Sequence, residues 1–124
     1  MLGESQGYRG LTRQVSAQLA TLRKSTPEPM RAFNELGKSA LAGGAIDAKT
    51  KELIAIALGV GARCDPCIAF HVQALVKLGA TRQELDETLA VTTYMGGGPS
   101  LMYAASAIAA FEEFTAEAAR SAAA

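Results

Sequence analysis

Alanine outnumbers valine and isoleucine together by 25 to 10 in this chain of 124 residues. Ala is the strongest helix former, and the β-branched residues are the ones strands favour. That balance excludes a sheet-dominated fold before any periodicity is considered. It excludes a disordered chain too, because 49% of the residues are apolar and only 19% are charged. One domain is expected at this length. A domain of this size buries about 65–70% of the surface its unfolded chain exposes, so a core without disulfides is feasible.

Glycine, proline and capping residues cut the chain into six expected helices. The first covers residues 8–23, with Leu11, Val15, Leu19 and Leu22 at helical spacing. Thr26 followed by Pro27 reads as an N-cap with Pro in the first helical position, opening a helix that runs to Leu41 before Gly43 and Gly44. Asp47 caps a third helix through Leu53, Ile54, Ala57 and Leu58, with Gly59, Gly61 and Arg63 marking its end. Apolar residues surround this helix after Glu52, so it is expected to be central and buried. The fourth helix starts with Asp65 as N-cap and Pro66 as first residue, and stops at Gly79. Thr81 and Glu84 form a capping box for the fifth. Gly96-Gly97-Gly98-Pro99 breaks the chain, and the sixth helix runs from Pro99 to about Glu117. The expected organisation is an N-terminal helical extension (1–25), a helical domain (26–117) and a tail (118–124).

The charge pattern narrows the function classes. Twelve basic and twelve acidic residues cancel, which argues against a nucleic-acid binder. Residues 1–63 hold nine basic and five acidic groups and residues 64–124 hold three and seven, so two differently charged surfaces are expected. No segment is long and apolar enough to span a membrane. The first ten residues do not read as a secretory signal, and a cytoplasmic location is expected. In that compartment a Cys pair is more often catalytic or metal-binding than structural.

The dense chemistry lies in Arg63-Cys64-Asp65-Pro66-Cys67-Ile68-Ala69-Phe70-His71, which contains both cysteines and the sole histidine. On a helix Cys67 and His71 are i and i+4 and share a face. Cys64 and Cys67 are i and i+3, about 5 Å apart at Cα, within reach of a disulfide. A first-turn Cys67 meets free backbone N–H groups and the positive helix end, which favour a thiolate. Glu52 joins by folding back. Along one continuous helix it would sit about 18 Å from residue 64. A tight antiparallel hairpin near residues 61–64 instead brings residue 52 level with about residue 72, beside His71. A carboxylate that orients a base, which in turn deprotonates a thiol, is the general arrangement for activating a nucleophile. Other readings of the same residues stay open. The cysteines suit a small apolar packing pair. Two thiolates, His71 and Glu52 suit zinc, although three such ligands along one helix make an awkward tetrahedron. Glu52 suits a solvated first-turn carboxylate. Tyr94, Met95 and Tyr103 suit an apolar entrance to this cluster, but packing or an interface is the better expectation.

Glu52, eleven intervening residues, Cys64-x-x-Cys67, three more and His71, together with Lys49-x-Lys51-Glu52-Leu53 and Gly96-Gly97-Gly98-Pro99 followed by Met102-Tyr103-Ala104-Ala105, resemble the alkylhydroperoxidase AhpD-like branch of the carboxymuconolactone decarboxylase superfamily. The resemblance covers roughly residues 28–115. It implies a single all-α domain of about six helices around a central antiparallel hairpin. It implies a thiol-dependent peroxidase in which Cys67 attacks a hydroperoxide, Cys64 resolves, and His71 and Glu52 handle the proton. The oxidised pair is then reduced by an external dithiol, lipoyl-bearing or thioredoxin-like. It implies a homo-hexamer or trimer; no metal, flavin or nucleotide site is visible in the residues, so no cofactor and no metal are expected. Pro66 stands where the best-known alkylhydroperoxidase of the family has a second His, so His71 and Glu52 act without it. The rival expectations are a lactone enzyme of the decarboxylase type, with Glu52 and His71 as acid and base, and a redox-sensing oligomeric adaptor.

Overall fold

Most of the expected punctuation points become helix boundaries in the computed structural model, which describes residues 7–123. The helices are α1 (Gly7–Ser25), α2 (Pro27–Leu41), α3 (Ala48–Gly61), α4 (Asp65–Lys77), α5 (Arg82–Gly96) and α6 (Gly98–Ala123), with no strand among the described residues. The first six residues of the expected extension and Ala124 of the expected tail lie outside the described residues. Asp47 accepts a hydrogen bond from Thr50 N at 2.7 Å, and Thr81 and Glu84 close both halves of their capping box. Thr26 holds the N-cap position of α2, but its hydroxyl donates back to Leu22 O in α1 at 2.9 Å rather than capping the new helix. Gly79 takes φ +77° just past α4, where a side chain would be strained. Its N–H bonds Val76 O while that of Ala80 bonds Leu75 O.

The α3–α4 hairpin is central. α4 lies against α3, α6 and α1, while α5 lies against α3 and α6. The core is formed by Ile56 and Val60 of α3, Ile68, Val72 and Leu75 of α4, Leu85 and Leu89 of α5, and the Ala104, Ala107, Ala110, Phe111 and Phe114 stripe of α6. Each fully buried Ile or Leu contributes roughly 1.5–3 kcal/mol. The alanines of α6 let its backbone approach α4 and α5 closely, so the composition that selected helices also fits their packing. The start of α1 is tied down by Glu113 of α6, whose carboxylate accepts from Tyr8 N at 2.9 Å and Arg9 N at 3.0 Å. These are unpaired first-turn donors at the positive end of α1.

Two expectations are corrected. The sixth helix does not end near Glu117. It continues through the expected tail to Ala123, because residues 118–123 contain no Gly or Pro and put Arg120 in the last turn, where a cation suits the helix dipole. The third helix is not buried all round. Ile56, Gly59 and Val60 are buried, but Ile54 and Leu58 face outward and are exposed. Within this subunit α4, α5 and α6 pack against one side of α3 and leave the other apolar side open.

Candidate functional site

The turn between α3 and α4 builds the site. Ala62 closes α3, and Arg63 adopts a left-handed conformation at φ +58°. Arg63 N donates to Val60 O at 3.1 Å and Cys64 N to Gly59 O at 3.0 Å. This pair of bonds is the Schellman termination, here with Arg where Gly is usual. Holding a side-chain-bearing residue in that region costs on the order of 1–2 kcal/mol. The turn makes Cys64 at once the second residue past the Ala62 C-cap of α3 and the N-cap of α4.

Here the expected capping is corrected. Asp65 is not the N-cap but the first residue of α4, and the capping atom is Cys64 Sγ, which accepts from Cys67 N at 3.3 Å. The positive helix end therefore acts directly on the Cys64 sulfur. Cys64 has extended backbone angles, φ −110° and ψ 94°, as an N-cap requires. Pro66 in the first turn removes an N–H that would have no helical partner.

Cys64 and Cys67 are joined by a disulfide, with Cα atoms 5.2 Å apart. Cys67 is exposed and Cys64 half-buried. One turn further along α4, His71 Nδ1 lies 2.7 Å from Glu52 Oε1 of α3. Glu52 is 7% exposed, a buried carboxylate with a partner, while His71 is half-buried. A carboxylate only accepts, so Nδ1 donates and Nε2 carries the lone pair. The hairpin thus pairs Glu52 with His71, and one turn back along α4 Cys64 with Cys67, the four residues expected from the sequence. It rejects the solvated-carboxylate reading of Glu52. Among the described residues no group of three or more His, Cys, Asp or Glu side chains converges to hold a metal ion.

A residue that sequence reasoning passed over positions this arrangement. A Cβ added to Gly59 would lie 3.3 Å from Cys67 Cβ and 3.6 Å from Ile68 N. The bare backbone of Gly59 therefore lets the start of α4 lie close on α3. The signal was available, because the fold-back that pairs residue 52 with about 72 also sets residue 59 beside the first turn of α4.

Away from the site, exposed charges tie α3 to its neighbours. Lys49 Nζ is 2.7 Å from Glu84 Oε2, which lowers the Glu84 carboxyl and raises the Lys49 ammonium from their ordinary values. Asp47 is lowered by the Thr50 N–H it accepts. A groove of about 750 Å³ between α3 and α5 is lined by Ile54, Leu58, Gly61, Val91 and Met95 among others. At 3.6 residues per turn, Ile54 and Gly61 point about 180–200° around α3 from Glu52, so the groove opens on the opposite side of the helix from the Glu52–His71 pair. Met95 lines it, Tyr94 is exposed, and Tyr103 packs against the core.

Comparison with known proteins matches residues 27–110 to the family model described as "Carboxymuconolactone decarboxylase family". An uncharacterized protein of Cupriavidus necator is 41% identical over 103 residues, covering 83% of this chain and 91% of that protein. The crystal structure of an apo carboxymuconolactone decarboxylase family protein from Legionella pneumophila superposes with a TM-score of 0.85 at 56% identity, covering 87% of this chain and 96% of that one. A Thermotoga maritima member, whose structure is described with a suggested involvement in antioxidative response, shares the fold at a TM-score of 0.79 and 24% identity, covering 89% and 94%.

Proposed function

The chain belongs to the carboxymuconolactone decarboxylase family, and within it we propose that it is a thiol-dependent peroxidase of the AhpD-like type. The carrying observation is the Glu52–His71 hydrogen bond one helical turn from a bonded Cys64–Cys67 pair. In the reduced protein, His71 Nε2 takes the Cys67 proton while Glu52 steadies the imidazolium. The Cys67 thiolate attacks the O–O bond of a hydroperoxide. Its sulfur gains one oxygen as a sulfenic acid, and the alkoxide leaves as an alcohol after taking the proton from His71. The Cys64 thiol then condenses with the sulfenic acid, forming the disulfide and releasing water.

Reduction reverses the pair. A dithiol donor, lipoyl-bearing or thioredoxin-like, attacks exposed Cys67, and Cys64 leaves as a thiolate. The Cys64 sulfur at the N-cap suits a leaving group, because the helix end and the Cys67 N–H stabilise its negative charge. The donor's second thiol resolves the mixed disulfide, so two electrons pass from donor to peroxide per cycle. Assembly into a homo-hexamer or trimer in the cytoplasm belongs to the same reading, with no metal or organic cofactor in the cycle.

Peroxide consumption with a panel of dithiol donors tests the reading. Wild type turns over, Cys67→Ser falls to background (a loss on the order of 10³-fold or more), and Cys64→Ser leaves a sulfenic acid on Cys67 that dimedone traps. Two free thiols recovered from folded protein after peroxide treatment rule out the cycle. Turnover of a lactone that survives changing both cysteines to serine assigns the chain to the decarboxylase chemistry instead.

A further inference from the structure

The groove between α3 and α5 lies on the far side of α3 from Glu52 and His71, so it has no part in the proposed chemistry. Its lining is apolar and open: Leu58 is 69% exposed, Val91 65% and Met95 77%, with Ile54 about half exposed. Leu101 and Met102, next in the chain after the lining residue Ser100, are half exposed or more. Six side chains of this size present roughly 600–700 Å² of apolar surface, at or above the ~300–600 Å² of the largest patch on a typical monomer.

The same subunit carries a ridge that has no groove. α2 buries none of its residues and touches only α1 and α3. Phe33, 71% exposed, and Leu36, 64% exposed, stand out from it. The family match begins at Pro27, the first residue of α2, so this helix belongs to the unit shared with the family although it adds nothing to the subunit's own core. Its 15 residues extend about 22 Å, longer than the ~16 Å between the levels of Thr50 and Gly61 that the groove spans. With Phe33 and Leu36 these eight residues expose roughly 900 Å² in all, the ceiling on what the contact buries, against ~800 Å² per partner in a standard interface.

We propose that α2 of a second copy of this chain lies in the groove between α3 and α5, seating Phe33 and Leu36 against Leu58, Val91 and Met95. Reciprocal insertion around a two-fold axis fills both grooves and closes the contact. The inference rests on the oligomeric part of the proposed function and is independent of its thiol chemistry.

Light scattering of the full chain at tens of micromolar is expected to give a multiple of 12.9 kDa. Phe33→Glu and, separately, Leu58→Glu are each expected to lower that mass, to one subunit or to the trimer left when the two-fold contacts of a hexamer open, with unchanged far-UV circular dichroism, since both side chains face solvent within the subunit. Benzoylphenylalanine in place of Phe33 is expected to crosslink to α3 or α5 of another chain. A single-subunit mass for wild type overturns both the oligomer and this contact. A mass that neither charge substitution lowers, or crosslinks that map outside α3 and α5, overturns the α2 contact alone. Should either Glu variant lose its helical signal, the crosslink map decides. Peroxide consumption by the wild type, read separately, reports on the chemistry and not on the contact.

Discussion

The two sides of α3 carry similar residues and meet different fates. One side presents Glu52, Ile56, Gly59 and Val60 to the rest of the hairpin, where all four are buried. The other presents Ile54, Leu58 and Gly61, all exposed. Hydropathy does not separate them, since Ile and Gly occur on both. What differs is that α4 packs over one side, while the other opens into the groove that α5 borders without filling. The comparison teaches that a helix apolar all round is a statement about total burial, in the subunit and beyond it, rather than about its place in one subunit's core.

The largest contrast between the sides is expected for truncation. Ile56→Ala leaves a cavity in the core and costs about 2–5 kcal/mol. At this chain length that is a fall in Tm on the order of 10 °C. Leu58→Ala removes a side chain already open to solvent, and costs the isolated subunit about 0.5 kcal/mol or less. Its effect falls on assembly, so the Tm deficit shrinks on dilution as wild type and variant both dissociate to subunits. Equal, concentration-independent losses would erase the distinction.

The second test concerns the reactive side alone. His71→Ala is expected to slow peroxide reduction about 10²-fold near neutral pH, as loss of a positioned base does. The pH profile of Cys67 alkylation in the reduced protein should move to higher pH. Glu52→Gln, which keeps a hydrogen-bonding group beside His71 but removes the charge, is expected to lie between wild type and His71→Ala. An alkylation profile unmoved by His71→Ala would make the histidine a packing residue.

The two glycines sharpen the comparison further. An Ala methyl at Gly59 meets Cys67 and Ile68, whereas one at Gly61 meets nothing within 4 Å. Gly59→Ala sets an overpacking cost of about 1–3 kcal/mol against a helix-propensity gain of up to ~1 kcal/mol, so a net loss is expected. Gly61→Ala keeps only the propensity gain, about 0.5 kcal/mol. Thermal melts should move in opposite directions, and a stabilised Gly59→Ala would show that α4 has room to retreat from α3.

The smallest effect is electrostatic and sits at the start of α3. Glu84 and Asp47 have carboxyls lowered below 4.5 and 3.8 by their partners Lys49 and Thr50. A depressed carboxyl contributes stability that is present above its unfolded value and lost as pH falls through its folded one. A slight loss of Tm is therefore expected below about pH 4, weak because both groups are at the surface. Glu84→Gln should flatten that acid limb; an identical limb in wild type and variant would show that the Lys49 pair contributes nothing.

Much of this protein was legible in local pattern. Ala excess, caps and glycine breaks gave six helices, and the spacing from Glu52 to His71 gave the hairpin that joins them at 2.7 Å. These features depend on residues near one another in the chain or on one antiparallel turn, and sequence spacing fixes such geometry. Three matters needed the tertiary structure. The N-cap moved from Asp65 to Cys64 because the left-handed Arg63 ends α3 one residue before α4 can begin, and local rules rank Asp far above Cys as a cap. The closeness of Gly59 to Cys67 depends on how two helices cross, which no one-dimensional pattern records. The open side of α3 depends on which faces α1, α2, α5 and α6 leave uncovered, and that is a property of all the helices placed at once.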